Sequence, residues 1–214
     1  MKSITTDKNV GMRFAFGDIE TGGLNERLDN GQLGMEYYPI FEIAFIITDR
    51  DLNQIGEPIR IVIHQTEEEI AKSHPWALEQ HTKSGLLDEV RKSTITLSEA
   101  QDMIIAHMKA LGIDKYDHKQ RTGAIFAGNS LMLDRDYFMA QMPTLHGYMH
   151  YRQLDVSAFA ISCRAWAPEL EDLAMSVKKG THLALVDIQE CIDEMRIYRD
   201  HLFGGRLPVV NLCQ

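Results

Sequence analysis

No stretch of this sequence of 214 residues carries the roughly 20 consecutive apolar residues that crossing a bilayer requires. The longest apolar runs, "IFEIAFIITD" and "IRIVIH", are short and each contains a charged or polar residue, so no membrane association is expected. The N-terminal "MKSITTDKNVGMRF" lacks both the apolar core of a secretory signal and the Arg content of a transit peptide, and a cytoplasmic location is expected. Cysteine is scarce. Cys163, Cys191 and Cys213 form an odd set without Cys-x-x-Cys or any metal spacing, and read as reduced, mostly buried small side chains. Positive charge is also short: 22 Lys and Arg against 31 Asp and Glu leave a formal charge of −9. That balance argues against gripping long nucleic acid along a basic groove, which depends on many Lys and Arg contacts to phosphate. A nucleic-acid substrate is expected to be short or locally held.

What is present is the composition of a soluble globular protein, 44% hydrophobic and 25% charged, with no low-complexity tract. The length suits one sizeable domain, 1–214, with a core from about residue 13 to about 203, a short N-terminal extension and a C-terminal tail, "GGRLPVVNLCQ". "RFAFGDIE" reads as a first strand. "PIFEIAFIITDRDLNQIGEPIRIVIHQ" reads as two more, joined by a turn over residues 51–56 into an antiparallel meander. "SHPWALEQHTKSG" predicts a short helix entered at Pro75 and stopped at Gly85, and "EEE" at 67–69 a solvated helix start. "TLSEAQDMIIAHMKALGI" predicts a longer helix with a capping box from Ser98 to Gln101 and a stop at Gly112. Beyond a polar loop, "AIFAGNS" predicts a strand, "DRDYFMAQM" a helix, "HYRQLDVSAFAISCRAW" a strand running into a helix, and "THLALVDIQECIDEMRIYRDHLF" a final amphipathic helix. Strands first and alternating helix and strand after imply an α/β fold, a mixed sheet flanked by helices.

Carboxylates at strand ends are what a divalent-metal site on such a sheet requires, because Mg²⁺ takes hard oxygen ligands and a pair of ions needs several. Asp18 and Glu20 follow the apolar run of the first strand, although an Asp-x-Glu alone is more often a solvated turn. "AGNSLMLDRDYF" places Asp134 just past a buried strand, and "THLALVDIQ" places Asp187 five residues after His182. On an ideal helix that offset is about 140°, so His182 is expected at or before the first turn, facing a water, with Asp187 pointing inward one turn later.

These ordered segments resemble the DEDD 3′-to-5′ exonucleases of the histidine subtype, which have a ribonuclease H-like fold, and within them the oligoribonucleases. The resemblance rests on Asp-x-Glu, the central Asp, His-x-x-x-x-Asp, and the strings "HTKSGLLDEVRKST", "AGNS", "HYRQLDVS" and "GTHLALVDIQECIDEMRIYRDHLF", covering about Gly17 to Phe203. It implies two divalent cations, Mg²⁺ or Mn²⁺, held by Asp18, Glu20, Asp134 and Asp187, with His182 as general base. The implied reaction releases nucleoside 5′-monophosphates from the 3′ end of short single-stranded RNA, with DNA as an open alternative, in a homodimer.

The same resemblance carries over contacts to the substrate. Leu24 matches a Leu that wedges against the bases and Trp76 a Trp that stacks on them, with His81 at the family's spacing from the Trp; the alternative for each is core packing. Asn129 falls in the "AGNS" segment. Ser130, Arg152 and Ser157 match polar residues that cap the 5′ phosphate of a dinucleotide, some supplied by the partner subunit, and Tyr151 matches a Tyr that reaches across the dimer. His64, His74, His107, His118, His146 and His201 have no ligand-like spacing, and His150 is given no role.

The chain departs from the family at "DIETGGL", where Thr21 directly follows Glu20, and in an inserted segment over residues 25–39. Tyr37 and Tyr38 in that segment are expected to pack on the body of the protein; the competing expectation is that they approach the substrate bases. Two other functions compete: an exonuclease of the same core acting on longer single-stranded DNA or RNA, and a catalytically weak nucleotide-binding protein.

Overall fold

The computed structural model describes residues 11–178 and 184–204. Five strands form one sheet in the order β3-β2-β1-β4-β5: β1 Arg13–Thr21, β2 Ile40–Asp49, β3 Ile59–Val62, β4 Ile125–Gly128 and β5 Gln153–Asp155. β1, β2 and β3 pair antiparallel, whereas β4 runs parallel to β1 and β5 parallel to β4. This is the expected mixed sheet, with the meander at the start of the chain and the crossovers after it.

Both faces are covered, which is why β2 is buried from Ile40 to Thr48 rather than alternating. On one face Ala15, Ile19, Phe45 and Phe126 pack with α5 (Leu97–Ala110), α6 (Met132–Gln141) and α7 (Pro143–Tyr148). On the other, Phe16, Ala44 and Ala127 pack with α8 (Val156–Trp166), α9 (Pro168–Met175) and the described part of α10 (Ala184–Tyr198), which runs into a π-helical turn at Arg199–Phe203. A third cluster joins Phe41 to α2 (Glu67–Ile70) and α4 (Leu86–Lys92), with α3 (Pro75–Lys83) between them. Each fully buried Phe or Ile contributes about 1.5–3 kcal/mol through the apolar surface it removes from water. At Gly17 the Phe45 and Phe126 rings occupy the space that a Cβ would need, so β1 must be bare there.

The long helix α5 starts two residues earlier than expected. Thr96 and Glu99 form the capping box, with Thr96 Oγ1 accepting from the Glu99 N–H at 3.2 Å and Glu99 Oε2 accepting from the Thr96 N–H at 2.8 Å. Both Thr96-x-x-Glu99 and Ser98-x-x-Gln101 satisfy the pattern. A charged carboxylate is the stronger acceptor near a helix N-terminus, and Gln101 is used elsewhere: its Oε1 accepts from the N–H groups of Thr144 and Leu145 at the start of α7, at 3.0 and 3.1 Å.

The inserted segment is folded down. A bridge between Arg27 and Leu33 leads into the single turn α1 (Gly34–Tyr37). Tyr38 is buried and Tyr37 half-buried against the first cluster, so both tyrosines pack on the body. α6 clamps the segment: Gln141 Nε2 donates to the carbonyls of Met35 and Tyr38, both at 2.8 Å, and Asn25 Nδ2 to Asp136 Oδ2 at 2.7 Å.

Candidate active site

Asp18 and Glu20 are two residues apart on β1, so the pleat turns both to the same face as Phe16, the face covered by α10. Asp187 sits in the first turn of the described part of α10. β4 pairs with β1 only as far as Phe16 and Ala127; β1 then continues past the end of β4. The strands part there. A small cavity of about 60 Å³ opens in the gap, lined by Asp18, Asn129, Asp187 and Cys191 among others. Carboxyl ends of parallel strands are where open α/β sheets bind ligands. The β1–β2 register also slips between Glu20 and Thr21, leaving Phe41 as the extra residue of a bulge that re-aims the chain directly after Glu20.

Asp134, in the first turn of α6, is 6% exposed, and its Oδ1 accepts from the Ile19 N–H at 3.1 Å. Three elements thus aim four acidic side chains at one end of the sheet, and Asp18 and Glu20 feel the charges of Asp134 and Asp187. Burial, followed by the charges of Asp134, Glu20, Asp187 and Glu42, pushes Asp18 well above the ordinary carboxylate range. Burial, then Glu42, Asp187 and Asp134, push Glu20 up to about 7, and burial pushes Asp134 up to about 7 against the pull of the Ile19 N–H. The charges that act most strongly on Asp18 and Glu20 are negative. Such a set is complementary to a divalent cation, which supplies the missing positive charge and prefers oxygen donors. The side chains are gathered but not closed: among the described residues no three Asp, Glu, His or Cys side chains converge closely enough to hold an ion as they stand.

Glu42 was not singled out by sequence reasoning. It faces Glu20 across the ladder, is 3% exposed and pairs with Arg60 at 2.5 Å, while Arg60 also reaches Glu89 at 2.8 Å. A charged residue inside the otherwise apolar "PIFEIAFII" was the available signal.

His182 lies outside the described residues. Leu24 and Trp76 are 60% and 63% exposed, which excludes core packing for both. The loop of Leu24 and the helix of Trp76 are tied together at two points: the His74 N–H donates to the Gly22 carbonyl at 2.7 Å, and His81 Nε2 to the Thr21 carbonyl at 3.0 Å. His74, which has no ligand-like spacing, has a local task, its Nδ1 accepting the Trp76 N–H at 3.2 Å at the start of α3. His81 itself is buried against Phe41, 3.9 Å from Glu20 Oε2, and burial lowers its basicity. The neutral ring braces the bulge.

Ser130 and Ser157 are in direct contact, Oγ to Oγ at 3.2 Å, and both are organised by Asp155. Asp155 Oδ1 accepts from the N–H groups of Ser130 and Ser157, each at 3.0 Å, and Oδ2 from that of Leu131 at 3.2 Å. These bonds hold Ser130 at a φ of +52°, a left-handed conformation that a non-glycine residue adopts only when its surroundings fix it. Sequence reasoning missed Asp155, whose signal is an N-cap Asp directly before the helix of Ser157. Asn129 Nδ2 donates to Glu194 Oε2 at 3.4 Å, and its Oδ1 is buried with no partner among the described residues. Arg152 and Tyr151 lie at the other end of β5, with Arg152 folded over the exposed Tyr151 ring at 5.4 Å.

Among the described residues no helix is long and apolar enough to cross a membrane. Comparison with known proteins agrees with the geometry. The model of the exonuclease family matches residues 16–195. The chain is 42% identical over 185 residues to the oligoribonuclease of Pseudomonas paraeruginosa, covering 86% of this chain and 92% of that one. It is also 42% identical over 186 residues to the oligoribonuclease of Vibrio vulnificus, covering 87% and 93%. Among solved structures, the zinc-bound complex of E. coli exonuclease I with single-stranded DNA superposes with a TM-score of 0.64 at 18% identity, covering 89% of this chain and 41% of that one. A second exonuclease I structure gives a TM-score of 0.65 at 18% identity, covering 91% and 44%. The present chain therefore spans about two fifths of those longer chains and nearly all of the curated relatives.

Proposed function

The chain belongs to the exonuclease family and, within it, to the oligoribonucleases, and from that premise we propose how its own residues perform the reaction. The fold is ribonuclease H-like, the activity is 3′-to-5′ hydrolysis of short oligoribonucleotides, and the enzyme uses divalent metal. The observation that supports the residue assignments is the repulsion that Asp18 and Glu20 feel from Asp134 and Asp187 at one end of the sheet.

Those four carboxylates would hold two divalent ions, Mg²⁺ or Mn²⁺, which when bound would supply a lowered water pKa and positive charge for the attacked phosphate and its leaving 3′ oxygen. His182 takes the proton of the attacking water. Asp134 must give up its bond to the Ile19 N–H, or share it, as it turns to the recess. Leu24 and Trp76, exposed on two segments tied to each other, take up the terminal bases; stacking contributes about 1–3 kcal/mol per base whatever the sequence. Asn129 contributes its Oδ1, which has no partner among the described residues, and His81 braces the strand end beside the substrate.

The preferred substrate is a dinucleotide. Ser130, Ser157 and Arg152 hold its 5′ phosphate, with Tyr151 contributed across a homodimer, and a substrate held at both ends leaves a long chain nowhere to run. The cytoplasm, where RNA decay ends, is the compartment this activity fits. The test is a comparison of initial rates, in Mg²⁺ or Mn²⁺, on a labelled RNA dinucleotide and an oligomer of about twenty nucleotides. Preference for the dinucleotide, lost selectively in Arg152→Ala, is the expected result; equal processing of the oligomer favours an exonuclease of longer single strands on the same core, and binding without turnover a nucleotide-binding protein.

A further inference from the structure

His150 sits between the two residues assigned to the far end of the substrate and the body of the protein. Its ring stacks on Tyr151, with centroids 4.7 Å apart and planes at 23°, and its Nδ1 accepts the Arg152 N–H at 3.0 Å. Its own backbone is fixed from both sides. The His150 N–H donates to the Ala124 carbonyl at 2.8 Å, and its carbonyl accepts from Arg135 Nη2 at 3.0 Å.

Tyr116 closes the other flank of the ring, edge-on to His150 at 4.7 Å and to Tyr151 at 5.5 Å. The loop that carries Tyr116 is not free to drift. The Tyr116 N–H donates to the Tyr148 carbonyl at 2.9 Å, and the loop's return at Gly123 passes so close that a Cβ there would stand 2.9 Å from the Tyr116 Cα. Gly123 has a φ of +89°, so the turn needs glycine for its conformation as well as for space.

We propose that His150 is a positioning residue for substrate-end recognition: its ring and Nδ1 fix the turn that presents Tyr151 outward and aims Arg152 at the 5′ phosphate of the dinucleotide. This rests on the reading that Arg152 binds that phosphate. The Arg152 N–H needs an acceptor, so the imidazole must be neutral at Nδ1. Its surroundings favour that state, since burial and then the positive charges of Arg152, Arg135 and His118 lower its basicity. A group so placed acts through Arg152 and Tyr151 and needs no contact with the substrate.

Two substitutions separate the parts of the role. His150→Phe keeps a ring against Tyr151 and removes the acceptor; His150→Asn keeps an acceptor near the place of Nδ1 and removes the ring. The reading is the ratio of KM for a dinucleotide with a 5′ hydroxyl to KM for the same dinucleotide with a 5′ phosphate, alongside kcat and the melting temperature. His150→Phe is expected to lower that ratio about tenfold, with its effect falling on KM rather than kcat. His150→Asn is expected to retain most of it, and His150→Phe to add nothing in an Arg152→Ala background. If Arg152→Ala lowers the ratio and His150→Phe does not, the positioning role is wrong and the phosphate reading stands. If Arg152→Ala leaves the ratio unchanged, both fall. Equal loss in the Phe and Asn variants, with a lowered melting temperature, would show His150 as a packing residue only.

Discussion

Glu20 and Glu42 face each other across the β1–β2 ladder, two carboxylates directly opposite on adjacent strands. Like charges in that relation destabilise a sheet, and among the described residues Glu42 is paired with the cation of Arg60 whereas Glu20 meets only the neutral ring of His81. The Glu20 side of the pair is left to the recess.

The metal-free protein should therefore lose stability as pH rises. Glu20 and Asp134 are pushed up to about 7 in the folded chain, while the unfolded chain holds them near ordinary carboxylate values. Between those limits the folded state binds more protons, so the stability is fully present below the unfolded values, about pH 4, and is lost as pH rises through about 7. In EDTA the Tm should fall by about 4 °C or more between about pH 5.5 and about pH 8. Added Mg²⁺ should cancel most of that fall, because ion and proton compete for the same oxygens. A flat Tm in EDTA across this range would mean that the four carboxylates do not share a recess.

Removing one carboxylate should separate activity from stability. Asp134→Ala and Asp187→Ala are expected to abolish turnover, and the metal-free Tm of Asp187→Ala should stay level or rise, since a repelling charge is gone. His182→Ala should slow turnover about 10²- to 10⁴-fold with metal affinity kept, as befits a base rather than a ligand. Calorimetric Mn²⁺ titration beside single-turnover rates checks all three, and full activity in either Asp variant would overturn the metal assignment.

How far the sequence carried these assignments depended on the range of the interaction. Asp18 and Glu20 were legible because a strand's two-residue period places them together whatever the rest of the chain does, and the ordered strings around Asp134 and Asp187 carried the family resemblance. The meander was legible because its turn is local. Asp155 and Glu42 were not, since one acts on Ser130 from 25 positions away and the other matters through its cross-strand partner. The start of α5 was misplaced because two overlapping capping patterns differ only in what α7 does with Gln101.

Leu24→Ala and Trp76→Ala should be almost silent in stability and loud in binding. Both side chains are largely exposed, so each truncation is expected to change folding free energy by about 0.5 kcal/mol or less. If they take up bases, KM should rise about fivefold to about a hundredfold, the equivalent of a stacking contact. Urea denaturation and dinucleotide kinetics on the same preparations make the comparison. Loss of stability without a KM change would return both residues to a structural role.

The inserted segment should prove to be a brace for Leu24. Its Gly34 N–H donates to the Glu26 carbonyl at 2.8 Å, Tyr137 Oη donates to the Gly23 carbonyl at 2.7 Å, and Gln141 holds both ends of α1 from α6. The loop that carries Leu24 and the helix that carries Asp134 are thus fastened together through the insertion. Gln141→Ala leaves two carbonyls without their donor and should cost about 1–3 kcal/mol of stability. Because the loosened part is next to Leu24, the KM for the dinucleotide should rise while kcat holds, and the turn at residues 28–31 should become open to limited proteolysis. An insertion that merely decorates the surface would give the proteolysis without the KM change, whereas one that reaches over the substrate through Tyr37 would give a KM change in Tyr37→Phe as well. The half-buried packing of Tyr37 against the core predicts that Tyr37→Phe stays at the wild-type KM.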